Sequence, residues 1–106
     1  MGAYTLIYHG ITFDSAVLEI FCRENGIKKL SLFGSVLRDD FSPESDIDML
    51  VEFMPGETVT YIRLSQTERS LSGIFGDRKV DLRTPGELSE YFRDKVRKEA
   101  EELYVR

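Results

Sequence analysis

The chain has 106 residues, 42% of them hydrophobic and 31% charged, with a net charge of −5 and a pI near 4.9. That length allows one hydrophobic core and no second, and no apolar run approaches the ~20 residues that span a bilayer. The acidic balance argues against a nucleic-acid groove, which clustered Lys and Arg would line, and favours a partner protein with a basic surface. The expectation is a single cytoplasmic domain over residues 1–106, with no membrane segment; the start, MGAYTLIYHG, lacks the basic and apolar regions of a signal peptide. Cys22 and His9 are the only residues of their types. One His and one Cys without spaced companions argue against a zinc site, and Cys22, set in an apolar helical pattern, reads as a small core residue.

In chain order, residues 4–8 (YTLIY) fit either an edge strand or a segment resting on a partner, and the role of residues 1–11 stays open. Phe13, Val17, Ile20 and Phe21 recur at helical spacing, with Thr12 or Asp14 as cap and Gly26 following the last turn, which predicts a helix over 14–25. Ile27 to Phe33 is the first sheet strand, whose apolar run from Leu30 to Phe33 stops at Gly34-Ser35, and a short helical turn then runs through Arg38. Phe41 anchors a crossover, and Ser42-Pro43 turns the chain towards a second strand, Asp46 to Phe53. A helix over 60–75 presents Leu64, Leu71, Ile74 and Phe75 on one face, and Gly76 closes it. Lys79 to Arg83 (KVDLR) is a third strand. After the break at Thr84-Pro85-Gly86, Leu88, Tyr91, Phe92, Val96, Ala100 and Leu103 form a last amphipathic helix, capped by Ser89, with Lys95, Arg97 and Lys98 outside. The fold class is α+β, a small mixed sheet with helices on one face and an acid-bearing face open at one edge.

The chemistry is concentrated between Gly34 and Asp81. In a strand alternate side chains share a face, so Asp46 and Asp48 stand side by side with Cα atoms roughly 6.5 to 7 Å apart. Two such carboxylates repel, and a divalent cation between them removes the repulsion. Oxygen-only ligands favour Mg²⁺ or Mn²⁺, and Mg²⁺ completes its shell with water and substrate phosphates. Upstream, glycine lets the backbone approach a ligand closely, and a helix begun at Ser35 would aim free N–H groups at an anion. Taken alone, Gly-Ser is a turn and Asp-x-Asp a solvated strand end; together at this interval they read as a metal–nucleotide site.

Gly34-Ser35, ten residues, then Asp46-Ile47-Asp48 resembles the GS-x10-DxD signature of the DNA polymerase beta-type nucleotidyltransferase superfamily. The words SLFGSVLRDD and SDIDMLVEF resemble those of the minimal nucleotidyltransferases, the MntA-like antitoxins paired with HepT-like toxins, and the likeness runs from about Phe13 to Tyr104. The resemblance implies a polymerase beta-like fold, ATP as substrate, two Mg²⁺ ions and a third acid at Asp81. Asp46, Asp48 and Asp81 would then be catalytic metal ligands, and Gly34, Ser35 and Arg38 nucleotide-binding. A salt bridge to Asp39, Asp40 or Glu44 is the alternative role of Arg38. The family often has glycine where Asp39 stands.

The superfamily usually adds a domain that binds the acceptor, and the expectation here is an acceptor presented by another molecule. The family implies a HepT-like toxin encoded next to this chain, with AMP passing to a toxin tyrosine; a homo-oligomer is also compatible. The other readings are a catalytically idle antitoxin that acts by contact, and a transferase for a small hydroxylated acceptor such as an aminoglycoside. The intact set of Gly34, Ser35, Asp46, Asp48 and Asp81 counts against the first of these. The absence of an acceptor domain counts against the second.

Overall fold

A computed structural model describes residues 5–8, 11–37 and 45–106. Two strands, β1 (Thr5–Tyr8) and β2 (Ile11–Asp14), pair antiparallel ahead of the first helix, α1 (Ser15–Glu24). Residues 5–8 are thus a strand of a separate hairpin, and Phe13 belongs to β2 rather than to the helical repeat in which its spacing placed it. The junction has no loop, because Asp14 ends the strand and caps the helix at once: its Oδ1 accepts from the backbone N–H groups of Ala16 at 2.9 Å and Val17 at 3.1 Å. Within α1 the buried residues are Leu18 and Cys22, while Val17 and Ile20 are about half exposed, at 47% and 54%. The expected apolar face is therefore rotated from the observed one. Gly26, at φ +66°, takes the left-handed conformation that closes the helix.

The main sheet follows, with β3 (Ile27–Leu32), β4 (Ile47–Phe53), β5 (Val80–Arg83) and β6 (Glu101–Val105) in the order β5-β4-β3-β6. β3 is antiparallel to both β4 and β6, whereas β4 and β5 run parallel. A parallel pair needs a crossover, which is supplied by α2 (Tyr61–Ile74). Thr60 caps α2 by accepting from the Arg63 N–H at 3.1 Å. Ile47, Met49 and Val51 face the main core, where Leu18 and Cys22 of α1 and Leu71 and Phe75 at the end of α2 meet them. The rings of Phe13 and Phe75 lie 4.8 Å apart there, tying the hairpin to the helical layer. Burial pushes the Cys22 thiol up to about 12, so it is a protonated core group and no nucleophile.

The last helix ends earlier than its spacing predicts. It is α3 (Glu90–Glu99), capped by Ser89 as expected, and the chain leaves Ala100 in extended backbone to form β6. Leu103 continues the helical spacing of Val96 and Ala100 but lies in a strand. The reason is tertiary: β3 would otherwise present an unpaired backbone edge, and β6 satisfies it, with Lys29 Nζ 3.2 Å from Glu102 Oε2 across the pair. α3 also takes the other face of the sheet from α1 and α2. Val96 packs with Phe33 and Leu50 in a small second cluster, and Tyr91 is almost fully exposed rather than packed.

Candidate functional site: three aspartates beside a glycine turn

Leu50 lies on the same strand face as Asp48, so α3 covers one end of the acid-bearing face and leaves the start of β4 open. β3 stops at Leu32, and the Phe33 N–H donates to the Asp48 carbonyl at 3.0 Å, which fixes where the chain departs. Gly34 then turns at φ +73° into a single 3₁₀ turn, Gly34–Leu37. A Cβ on Gly34 would sit 2.5 Å from Asp48 Oδ2. The glycine is thus required twice, for its left-handed backbone and for the close approach of the carboxylate. Ser35 lies within the same turn, while Arg38 and its alternative partners Asp39, Asp40 and Glu44 lie outside the described residues, as do Phe41 and Ser42-Pro43.

Asp46 stands directly before β4, held from both sides: Arg78 Nη2 donates to the Ser45 carbonyl at 3.0 Å, and the Ile47 N–H donates to the Lys79 carbonyl at 2.8 Å. In the parallel pairing of β4 with β5, Asp48 is the direct partner of Asp81. The three aspartates named from the sequence are therefore brought to one edge of the sheet, on neighbouring strands. Each of the outer two faces a cation. Lys79 Nζ is 3.7 Å from Asp46 Oδ2, and Arg83 donates to Asp81 from Nε at 3.2 Å and Nη2 at 3.4 Å. The hydrogen bond to Asp81, reinforced by the charges of Asp81, Glu87 and Asp48, raises the Arg83 pKa above its ordinary value. Alternation along KVDLR places Asp81 and Arg83 on one face, so that pairing was readable from the strand, whereas the facing of Lys79 and Asp46 was not.

One contact carried no sequence signal. Glu68 of α2 accepts from the Leu82 N–H at 2.8 Å, capping an outward backbone donor of the edge strand right beside Asp81. Nothing in the spacing of α2 marks that residue. A groove of about 950 Å³ runs past Phe53, Pro55, Tyr61, Thr84 and Pro85 and contains none of the three aspartates. Size alone does not mark the site.

Residues 15–105 match the nucleotidyltransferase domain family. The chain belongs to that family. A Methanocaldococcus jannaschii protein provisionally named protein adenylyltransferase MJ0435 is 34% identical over 77 residues, covering 73% of this chain and 80% of the relative. A solved structure provisionally named a minimal nucleotidyltransferase has a TM-score of 0.65 at 33% identity, over 80% of this chain and 83% of its own. A toxin-antitoxin crystal structure with AMP-PNP superposes with a TM-score of 0.68 at 22% identity, over 87% and 73% of the two chains. A Shewanella oneidensis complex of tri-AMPylated HEPN toxin with MNT antitoxin gives 0.61 at 22% identity, over 87% and 70%. At that identity the last two show the shared fold.

The metal-ligating side chains that the nucleotidyltransferase brings to this edge among the described residues are carboxylates, all oxygen donors. Among the described residues no three carboxylate, His or Cys side chains converge into a ready metal cage; Asp46 is engaged by Lys79 and Asp81 by Arg83. Mg²⁺ does not require one. It commonly takes one or two protein carboxylates and draws its remaining ligands from water and substrate phosphates. The donor set fits an ion that arrives with the nucleotide.

The Gly34 contact gives a direct test of how tightly turn and acid are matched. Gly34→Ala is expected to cost about 1–2 kcal/mol of stability through its left-handed backbone and to displace the Asp48 carboxylate. Thermal melting should show a modest decrease, and nucleotide titration a much larger loss of affinity. An alanine variant with wild-type nucleotide affinity would show that the close approach does not matter.

Proposed function

We propose that this nucleotidyltransferase transfers AMP from ATP to a hydroxyl of a HepT-type toxin encoded next to it, a tyrosine by preference, and so acts as the antitoxin of the pair. The observation that carries the reading is the pairing of Asp48 with Asp81 on adjacent strands, with the Gly34 turn packed against the Asp48 carboxylate. The name of the Methanocaldococcus jannaschii relative and the AMPylated toxin of the Shewanella oneidensis complex support the choice of AMP and of a protein acceptor.

In the proposed reaction the acceptor oxygen attacks the α-phosphorus, the bond from that phosphorus to the β-phosphate oxygen breaks, and pyrophosphate leaves. Gly34 and Ser35, with Arg38, hold the β- and γ-phosphates. Asp46, Asp48 and Asp81 are the residues that would hold two Mg²⁺ ions, or Mn²⁺ in their place, which when bound offset charge on the attacking and leaving oxygens and lower the pKa of the acceptor hydroxyl. Asp81 faces the nucleophile and receives or relays its proton. A free carboxylate, pKa near 3.9, is a weak base, so an acceptor that ionises easily is favoured; a tyrosine hydroxyl, pKa near 10, meets that need.

The test is intact-mass measurement of the neighbouring gene's product after incubation with this protein, ATP and Mg²⁺. A gain of one or more AMP units on the partner, lost in Asp46→Asn, is the expected result. Because this chain has five tyrosines of its own, its mass is followed as a control for self-modification. Neutralisation of the partner by Asp46→Asn without any mass change would favour an antitoxin that acts by contact alone.

A further inference from the structure

We propose that Lys95 of α3 is a phosphate ligand of the nucleotide seated at the Gly34 turn; the inference rests on the nucleotide reading of that site. The helical pattern alone puts Lys95 on the solvent side. Lys95 is indeed exposed, but the fold also brings α3 across the acid-bearing face, where Lys95 and Phe92 line one cavity with Phe33, Gly34, Leu37 and Glu99. Its volume is about 230 Å³, smaller than the ~300–1,000 Å³ of a site that encloses a whole drug-sized ligand. At ~30 Å³ per water it holds about eight waters, space on the scale of the phosphate end of a nucleotide.

The helix that carries Lys95 is held in place on two sides. Val96, the next residue, is buried against Phe33 and Leu50, and Arg93 donates to the carbonyls of Pro85 at 2.8 Å and Leu88 at 3.2 Å. Only the flexible stem of Lys95 is left to move, and a lysine ammonium acts on phosphate as a point charge that needs no fixed angle. The cations at either end of β5 are already engaged, Lys79 with Asp46 and Arg83 with Asp81. Lys95 makes no ion pair among the described residues.

Glu99 makes the role sharper. Its carboxylate lies one turn further along α3 in the same cavity and repels any phosphate there. Lys95 attracts the phosphate and offsets Glu99 together, so its removal exposes the ligand to an uncompensated negative charge. A decorative surface lysine would have neither effect.

Calorimetric titration with Mg-ATP and with AMP separates these cases. Lys95→Ala is expected to weaken ATP binding about 10- to 100-fold, the scale of one charge-assisted contact, and to leave AMP binding within about twofold. Lys95→Arg should recover most of the loss, and Lys98→Ala, on the same helix, should bind ATP as the wild type does. Unchanged ATP affinity in Lys95→Ala, or an equal loss for ATP and AMP, overturns the inference while leaving the nucleotide site standing. Failure of the wild-type protein to bind ATP at all overturns the nucleotide reading and this inference with it.

Discussion

Asp46→Asn combined with Asp48→Asn is expected to abolish Mg²⁺-dependent ATP binding while the protein stays folded. The amides keep the shape of the carboxylates but lose the charge that a divalent cation and its phosphates require. The ion pair of Asp46 contributes little to stability. Asp46 is half-exposed and its Lys79 partner more so, an arrangement whose typical contribution is ~0–1 kcal/mol. Relief of repulsion between neighbouring carboxylates acts in the opposite direction. Calorimetry should therefore show no Mg-ATP binding alongside a melting temperature near that of the wild type. Unchanged affinity in the folded double variant would falsify the assignment of the site to these two residues.

The second large effect is kinetic. Asp81→Asn should leave Mg-ATP affinity within a few-fold and reduce the single-turnover rate of AMP transfer by about 10²- to 10⁴-fold, the range over which a positioned acid–base group acts. Interactions that strengthen only in the transition state change the rate and not ground-state binding. The location of Asp81 supports that split: it lies one strand away from Asp48, on the edge strand, where its backbone is fixed by the β4 pairing and by the Glu68 bond to Leu82. Arg83 loses its carboxylate partner in the variant, but that guanidinium is exposed and remains solvated. A rate equal to the wild type would remove Asp81 from the mechanism.

Much of this site could be read without coordinates because its parts obey local rules. The alternation of Asp46 and Asp48 with Ile47 and Met49 follows from the twofold repeat of a strand, and the same repeat put Asp81 and Arg83 on one face, where they meet at 3.2 Å. Caps were equally local: Asp14, Thr60 and Ser89 each accept from a backbone N–H within three residues. Periodicity failed where two structures share a spacing. Val96, Ala100 and Leu103 fit a helix, yet from Glu101 the chain is a strand, because the edge of β3 must be paired and a helix cannot pair it. Phe13 fits the turn of α1, yet the backbone before Asp14 pairs with β1.

The sequence by itself determined the acids, the glycine turn and the interval between them, since these depend on residue type and on distances of a few residues along the chain. That Lys79 faces Asp46, that Glu68 clips Leu82, and that Lys95 lines the same cavity as Gly34 all depend on elements far apart in the chain being packed together. Only the tertiary structure decided those. Its deciding step was the return of the chain from α3 into β6: pairing with β3 draws the helix across the acid-bearing face, and Val96, buried against Leu50 and Phe33, holds it there.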